Sequence, residues 1–287
     1  MVTLLDGLSL GAIYALIALG YTMVYGIAKM LNFAHGDVIM VGAYAIFTVF
    51  SITGNPVIAF IVSIILCVVL GIVIEKLAYK PLRTASPLAV LITAIGVSNL
   101  LQGLAQLIFG TEPKSVIILN KLGSVEIADG IILNISTIVT LVLSAIIMIV
   151  LTLFIKKTKT GRAMLAVSED KGAAQLMGVN VNKIIMITFA IGSALAAFAS
   201  LFYLIKIPVS PSFGALPGIK AFAAAVIGGI GSIPGAMIGG IVLGVIENLS
   251  KGYISTQLSD AIVFSVLIIV LLVKPTGLLG KKISEKV

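Results

Sequence analysis

Side chains able to do chemistry are sparse in this sequence. It contains one histidine, His35, and one cysteine, Cys67, and the cysteine sits inside an apolar run. Neither a nucleophile–His–acid triad nor a Cys/His pair can be assembled from that inventory. A lone cysteine makes no disulfide framework. A site of clustered His and Cys ligands is excluded, so no metal centre is assigned, although carboxylates could in principle hold a hard cation. Glu75, Glu247 and Asp260 fall near the ends of apolar runs and Asp37 follows His35, with no pair at acid/base spacing. A phosphate loop of the form G-x-x-x-x-G-K-[ST] is absent. Its nearest match, Gly280-Lys281-Lys282, has Pro275 in place of the first glycine and no Ser or Thr after the lysine. If this chain serves an ATP-driven process, the nucleotide is bound elsewhere and the chain carries no cofactor.

Three polar or flexible stretches interrupt the apolar sequence. The first is Asn32-Phe33-Ala34-His35-Gly36-Asp37. Polar groups at membrane depth are costly and face a cavity or a protein partner. Asn32, Phe33 and His35 are therefore candidates for a solute path, while Asp37 reads as the cap of the next helix. The second is Asn99, Gln102 and Gln106, whose spacing of three and four puts them on one helical face. They are either interhelical hydrogen-bond glue or a stripe lining the path. The third is Gly228-Gly229-Ile230-Gly231-Ser232-Ile233-Pro234-Gly235-Ala236, a break between two short arms. After it, Gly235/Gly239 and Ala236/Gly240/Gly244 recur every four residues, a spacing that lets helix backbones approach closely. Gly228, Gly229, Gly231, Pro234, Gly235 and Gly239 are read as helix-break and packing positions, Ile241 as facing lipid, and Ala190, Ser193, Ala194 and Ala197 as a similar packing row.

The elements that must position these residues follow from composition. Of 287 residues 60% are hydrophobic and 10% are charged, and the mean hydropathy is +1.23. A soluble domain carries about 25% charged residues, so much of this surface must face lipid. Nine apolar runs stand out, at 5–27, 37–52, 57–79, 88–110, 133–155, 184–207, 218–231, 235–250 and 259–274. In lipid such runs must be helices. The expected fold is an all-α, polytopic membrane bundle of one domain, residues 1–287. The first run lacks a positive n-region and is long enough to span, so it reads as a retained membrane helix rather than a signal. The runs 37–52, 218–231 and 235–250 are short for a bilayer core about 30 Å thick, and short, Gly/Pro-interrupted segments mark broken helices along transport paths.

The net charge of +8 would suggest nucleic acid in a soluble chain. Here Lys29 and the stretches 76–84, 156–183 and 274–286 hold 14 of the 19 basic residues in short connections. That is the positive-inside pattern, which places 156–183 and the C-terminus in the cytoplasm and the N-terminus outside, and leaves no role for nucleic acid. The opposite loop, 111–130, carries Glu112, Glu126 and Asp129 against Lys114 and Lys121. The long basic loop 156–183 mixes apolar and charged residues and reads as one or two surface helices broken at Gly172, a docking element.

Three stretches together identify a resemblance. LNFAHGD (31–37), TGRAMLAVSEDKGAAQLMGVNV (160–181) and GGIGSIPGAMIGGIVLG (228–244), with the opening GLSLGAIYALIALGYTMVYGI (7–27), resemble the LivH-type permease of branched-chain amino acid ABC importers. The resemblance covers nearly the whole chain. It implies a type II ABC importer-like permease fold related to the vitamin B12 importer. It also implies a LivM-like partner permease, two cytoplasmic ATPases that bind ATP and Mg, and an external solute-binding protein. It makes Gly161, Arg162, Met164, Ser168, Glu169, Asp170, Leu176 and Gly178 the candidates for coupling to the ATPase. Leucine, isoleucine or valine is the implied cargo, with urea or another small polar solute as the alternative within the family and a passive channel as the alternative outside it. A channel has no need of a basic helical platform.

Overall fold

The computed structural model describes residues 2–116, 123–128 and 131–280. Lys121, Asp129, Lys281, Lys282 and Lys286 lie outside the described residues. The helices are α1 (Val2–Ala28), α2 (His35–Thr53), α3 (Pro56–Ile74), α4 (Pro87–Phe109), α5 (Ile135–Lys157), α6 (Lys159–Glu169), α7 (Lys171–Leu176), α8 (Val181–Leu204), α9 (Ala215–Gly228), α10 (Ile233–Tyr253) and α11 (Ser259–Val273). Seven of them are long and apolar enough to cross a membrane: α1, α2, α3 with its extension to Leu82, α4, α5, α8 and α10. The helical membrane bundle expected from composition is therefore the fold observed. One addition is a small antiparallel hairpin, β1 (Ser124–Ala128) and β2 (Ile131–Asn134), ahead of α5.

The helix boundaries have local causes. Asn55 caps α3 by accepting from Val57 N and Ile58 N, with Pro56 in the first turn where its missing N–H costs nothing. Ser86 and Pro87 start α4 in the same way. Two lengths correct the sequence reading. The run 37–52 is a helix of 19 residues, and 235–250 lies within a helix of 21 residues. Pro234 does not break that helix: Ser232 caps it, accepting from Gly235 N, and the proline occupies the first turn. The helix then runs on past Lys251, whose charge is neutralised by Glu247 four residues earlier. The short elements are α9, with 14 residues, and α11, with 15. Between α9 and α10 the chain reverses through Gly229 and Gly231, at φ of 105° and 91°, a region that favours glycine.

The core is built on α1, packed against α10, α8, α9 and α5. Helix α10 presents two different small-residue rows. Gly240 and Gly244 lie against Ala15 and Gly11 of α1, while Gly235 and Gly239 lie against Gly228 and Ala224 of α9. Ile241, read from sequence as lipid-facing, instead abuts α1 through its own backbone, because a Cβ on Gly11 would meet Ile241 Cα and O at 2.7 Å. The outward residue on this turn is Ile238. On α8, Ser193 fits over Gly71 of α3 and Ser200 over Gly42 of α2. Helices α3, α4, α5 and α11 expose long apolar side chains, Leu107, Ile149 and Leu272 among them, as chains facing lipid or another membrane subunit do.

Candidate functional site

The polar break after α1 begins at Lys29, which takes a positive φ of 60° and ends the helix. Asn32 is buried, and its Oδ1 accepts a hydrogen bond from Tyr79 Oη at 2.9 Å. Phe33 packs on Phe222 of α9, with ring centroids 5.3 Å apart. His35 is buried edge-on against Tyr21 at 4.9 Å, and its ring fills the space over Gly20. Two of these path candidates, Asn32 and His35, thus point into the protein. Gly36 lies against the backbone of Gly214 and Gly218, bringing the start of α2 to the start of the half-length helix α9.

Asp37 does not cap α2. The cap position is Ala34, with no side-chain bond. Asp37 sits within the first turn of α2, where its Oδ1 accepts from Gln102 Nε2 of α4 at 2.8 Å. Gln102 Nε2 also donates to Ser98 Oγ at 3.3 Å. Of the α4 stripe, Gln102 is half-buried and turned toward α2, while Asn99 and Gln106 are exposed. The structure therefore joins one of the three stripe residues to the 31–37 segment and leaves the other two on the outer face of α4.

A second polar cluster was not assembled from the sequence. Lys220 of α9 is bonded to Glu247 of α10 at 2.8 Å and to Asp260 of α11 at 2.6 Å. Lys251 reaches the same Glu247 oxygen at 2.6 Å, and Tyr14 Oη of α1 donates to the other at 2.9 Å. The side chains of Lys220 and Glu247 are 6% and 1% exposed. Two cations and two carboxylates balance, as burial in lipid requires. The available signal was Lys220 itself, a lone charge inside an apolar run.

The loop 156–183 forms α6 and α7, a surface platform. Thr158 caps α6 through Gly161 N, and Gly161 lies directly on the backbone of Phe154 and Ile155, where a side chain has no room. Met164, Val167 and Ala174 face inward. The break falls at Asp170 rather than Gly172, because the extended Asp170 caps α7 by accepting from Ala173 N at 2.9 Å, leaving Gly172 in the first turn of α7. Arg162, Glu169, Asp170 and Gly178 are exposed and Ser168 is half-exposed. Leu176 and Met177 stand out at 90% and 85% exposure. Lys171 ties the platform to α1 by donating to Ala28 O at 2.8 Å. Burial, reinforced by Arg83 and Lys29, pushes its ammonium below the usual lysine range. Arg83, beyond α3, pairs with Glu75 and with Asn182 of α8. No group of three or more His, Cys, Asp and Glu side chains comes together as a metal site among the described residues.

With this geometry in place, similarity to known proteins can be weighed. The family described as "Branched-chain amino acid transport system / permease component" matches residues 3–271. The chain is 44% identical to the high-affinity branched-chain amino acid transport system permease protein BraD of Pseudomonas aeruginosa, over 99% of this chain and 97% of that one. It is 43% identical to the corresponding permease protein LivH of Escherichia coli K12, over 98% and 96%. Among solved structures, PsaBC from Streptococcus pneumoniae in complex with Fab superposes with a TM-score of 0.51 at 15% identity, covering 96% of this chain and 91% of that chain. At that identity the likeness speaks for the fold alone.

Proposed function

Because the chain belongs to the branched-chain amino acid transport permease family, we propose that it is the membrane subunit through which leucine, isoleucine or valine enters the cell, driven by ATP hydrolysed on other chains. The observation that carries this reading is the near-full-length match to permeases named for that cargo. In this reading the working unit is one membrane domain, joined by a LivM-like second permease, two cytoplasmic ATPases that bind ATP and Mg, and an external solute-binding protein. The platform of α6 and α7 is the ATPase contact. Its exposed Leu176 and Met177, beside Arg162, Ser168, Glu169 and Asp170, supply an apolar centre with a charged rim, the composition of a protein interface. The platform and the C-terminus face the cytoplasm, as the Lys and Arg bias argues. The solute path runs along α4, whose wall carries exposed Asn99 and Gln106 and, at the seam with α2, Gln102. Buried Asn32 and His35, with Phe33, hold the turn behind that wall.

The test is reconstitution of the complete transporter in proteoliposomes, with uptake of radiolabelled leucine and urea followed with and without ATP. ATP-dependent leucine uptake is expected. Urea import without leucine import would replace the cargo, and leucine flux independent of ATP would replace the mechanism with a channel.

A further inference from the structure

Among the described residues three carboxylates are buried: Asp37, Glu75 and Glu247, at 2%, 2% and 1% exposure. Two have their counter-charge built in. Glu75 pairs with Arg83, and Glu247 with Lys220 and Lys251. Even half-exposed Asp260 holds Lys220. Asp37 differs: among the described residues no basic side chain lies within the 4.0 Å of an ion pair, and its side-chain partners are neutral, the amide of Gln102 and the hydroxyl of Ser98. A carboxylate in a membrane-spanning helix without a cation is expensive, and such groups pair with one another or mark a substrate or ion route. Here the chain supplies hydrogen bonds and the first turn of α2, but no cation among the described residues.

We infer that Asp37 is the intramembrane receptor for the ammonium group of the passing amino acid. The inference rests on the proposed cargo being a zwitterion. Three features of the place favour a solute over other cations. Asp37 lies behind Gln102, the one polar residue of α4 turned toward α2, while Asn99 and Gln106 are exposed on the outer face of α4, so a solute moving along α4 meets Gln102 before Asp37. The group covering the carboxylate is a neutral amide, and an ammonium in its place would add the attraction of opposite charges to the hydrogen bond. Ser98, already bonded to Gln102 Nε2, can keep that amide when it swings away. The arrangement is a closed receptor that an ammonium opens and a neutral solute does not.

The experiment uses the complete transporter in proteoliposomes, with Asp37→Asn and Asp37→Glu beside the wild type. Asp37→Asn keeps shape and can still accept from Gln102, so it should co-purify with all partner subunits yet import leucine about tenfold more slowly or worse, the loss expected when a charged contact becomes a neutral one. Asp37→Glu should restore most of the uptake. A second readout separates recognition from structure. In vesicles lacking the binding protein, leucine counterflow through the wild type should be inhibited by 3-methylbutylamine, which carries leucine's side chain and ammonium without the carboxylate, and not by 4-methylpentanoate, which lacks the ammonium. The amine should lose its effect on Asp37→Asn. Uptake by Asp37→Asn equal to wild type would overturn the inference, as expected of a carboxylate that simply holds a proton. Failure of Asp37→Asn to assemble would also overturn it, pointing to a cation from a partner subunit. Equal inhibition of both proteins by the amine would do the same. If the wild type itself imports no leucine, the proposed cargo fails first, and the result is recognisable as such.

Discussion

Replacing Lys220 with methionine tests the physical account of the bundle most directly. Lys220 bridges three helices, since its ammonium on α9 binds Glu247 on α10 and Asp260 on α11. Methionine keeps the volume and apolar stem and removes only the charge. Glu247 would retain Lys251 and Tyr14, and Asp260, whose side chain is 44% exposed, could turn outward. The loss should therefore fall at the lower end for removing one partner of a buried ion pair, about 3 kcal/mol. The double variant Lys220→Met/Glu247→Met removes both buried charges and leaves the half-exposed Lys251 and Asp260, and the buried hydroxyl of Tyr14, without these partners. It should be less damaging than the sum of the single changes, with a coupling energy of about 2 kcal/mol. Unfolding of the purified chain in mild detergent by titration with dodecyl sulfate measures all four corners of the cycle. A coupling below about 0.5 kcal/mol would show that the four charges are neighbours without being a unit, and the argument from buried charge would fail.

Other outcomes follow from single contacts. Gly239→Leu should abolish assembly or uptake, because even a Cβ there runs into Ala224 O of α9; Ile238→Leu, on the outward face, should be nearly silent in the same uptake assay. Glu169→Lys should uncouple ATP hydrolysis from uptake while the subunit still inserts, and normal coupling would remove the α6–α7 platform from the ATPase contact. Asp170→Ala should add a loss of about 1 kcal/mol from the missing cap of α7, whereas Asp170→Asn should not, a difference visible in protease resistance of the loop. A cysteine at Lys159 should react only with reagents that reach the cytoplasm, and one at exposed Ser124 only from outside; reversed labelling would invert the topology.

Hydropathy made the bundle legible because lipid forces every apolar run to satisfy its own backbone as a helix. The errors arose where a single residue type was given one meaning. Pro234 was read as a breaker, yet a proline in the first turn after a serine cap begins a helix. Gly172 was read as the hinge of the surface loop, but the carboxylate of Asp170 two residues earlier offered a hydrogen bond that glycine cannot. Ile241 looked lipid-facing because it is apolar, whereas its position beside Gly240 puts it on the α1 face. The cluster of Tyr14, Lys220, Glu247, Lys251 and Asp260 escaped because three of its four contacts join different helices, and periodicity within one helix says nothing of them. The meeting of Asp37 with Gln102, 65 residues apart, was hidden for the same reason, although each residue was singled out separately.

The end of the chain has a consequence for how the protein is made. Helix α9 stops inside the bundle, and its last carbonyls need donors. Two come from far downstream: Leu278 N donates to Ile227 O at 2.8 Å and Leu279 N to Gly228 O at 2.9 Å. During synthesis, α9 therefore enters the bilayer about 50 residues before the segment that seals it exists. Until translation reaches Leu279, these two carbonyls lack the backbone donors that the finished protein gives them. A nonsense codon anywhere after α11 but before Leu278 would leave every spanning helix intact and still produce a subunit that the cell's quality control can recognise as unfinished.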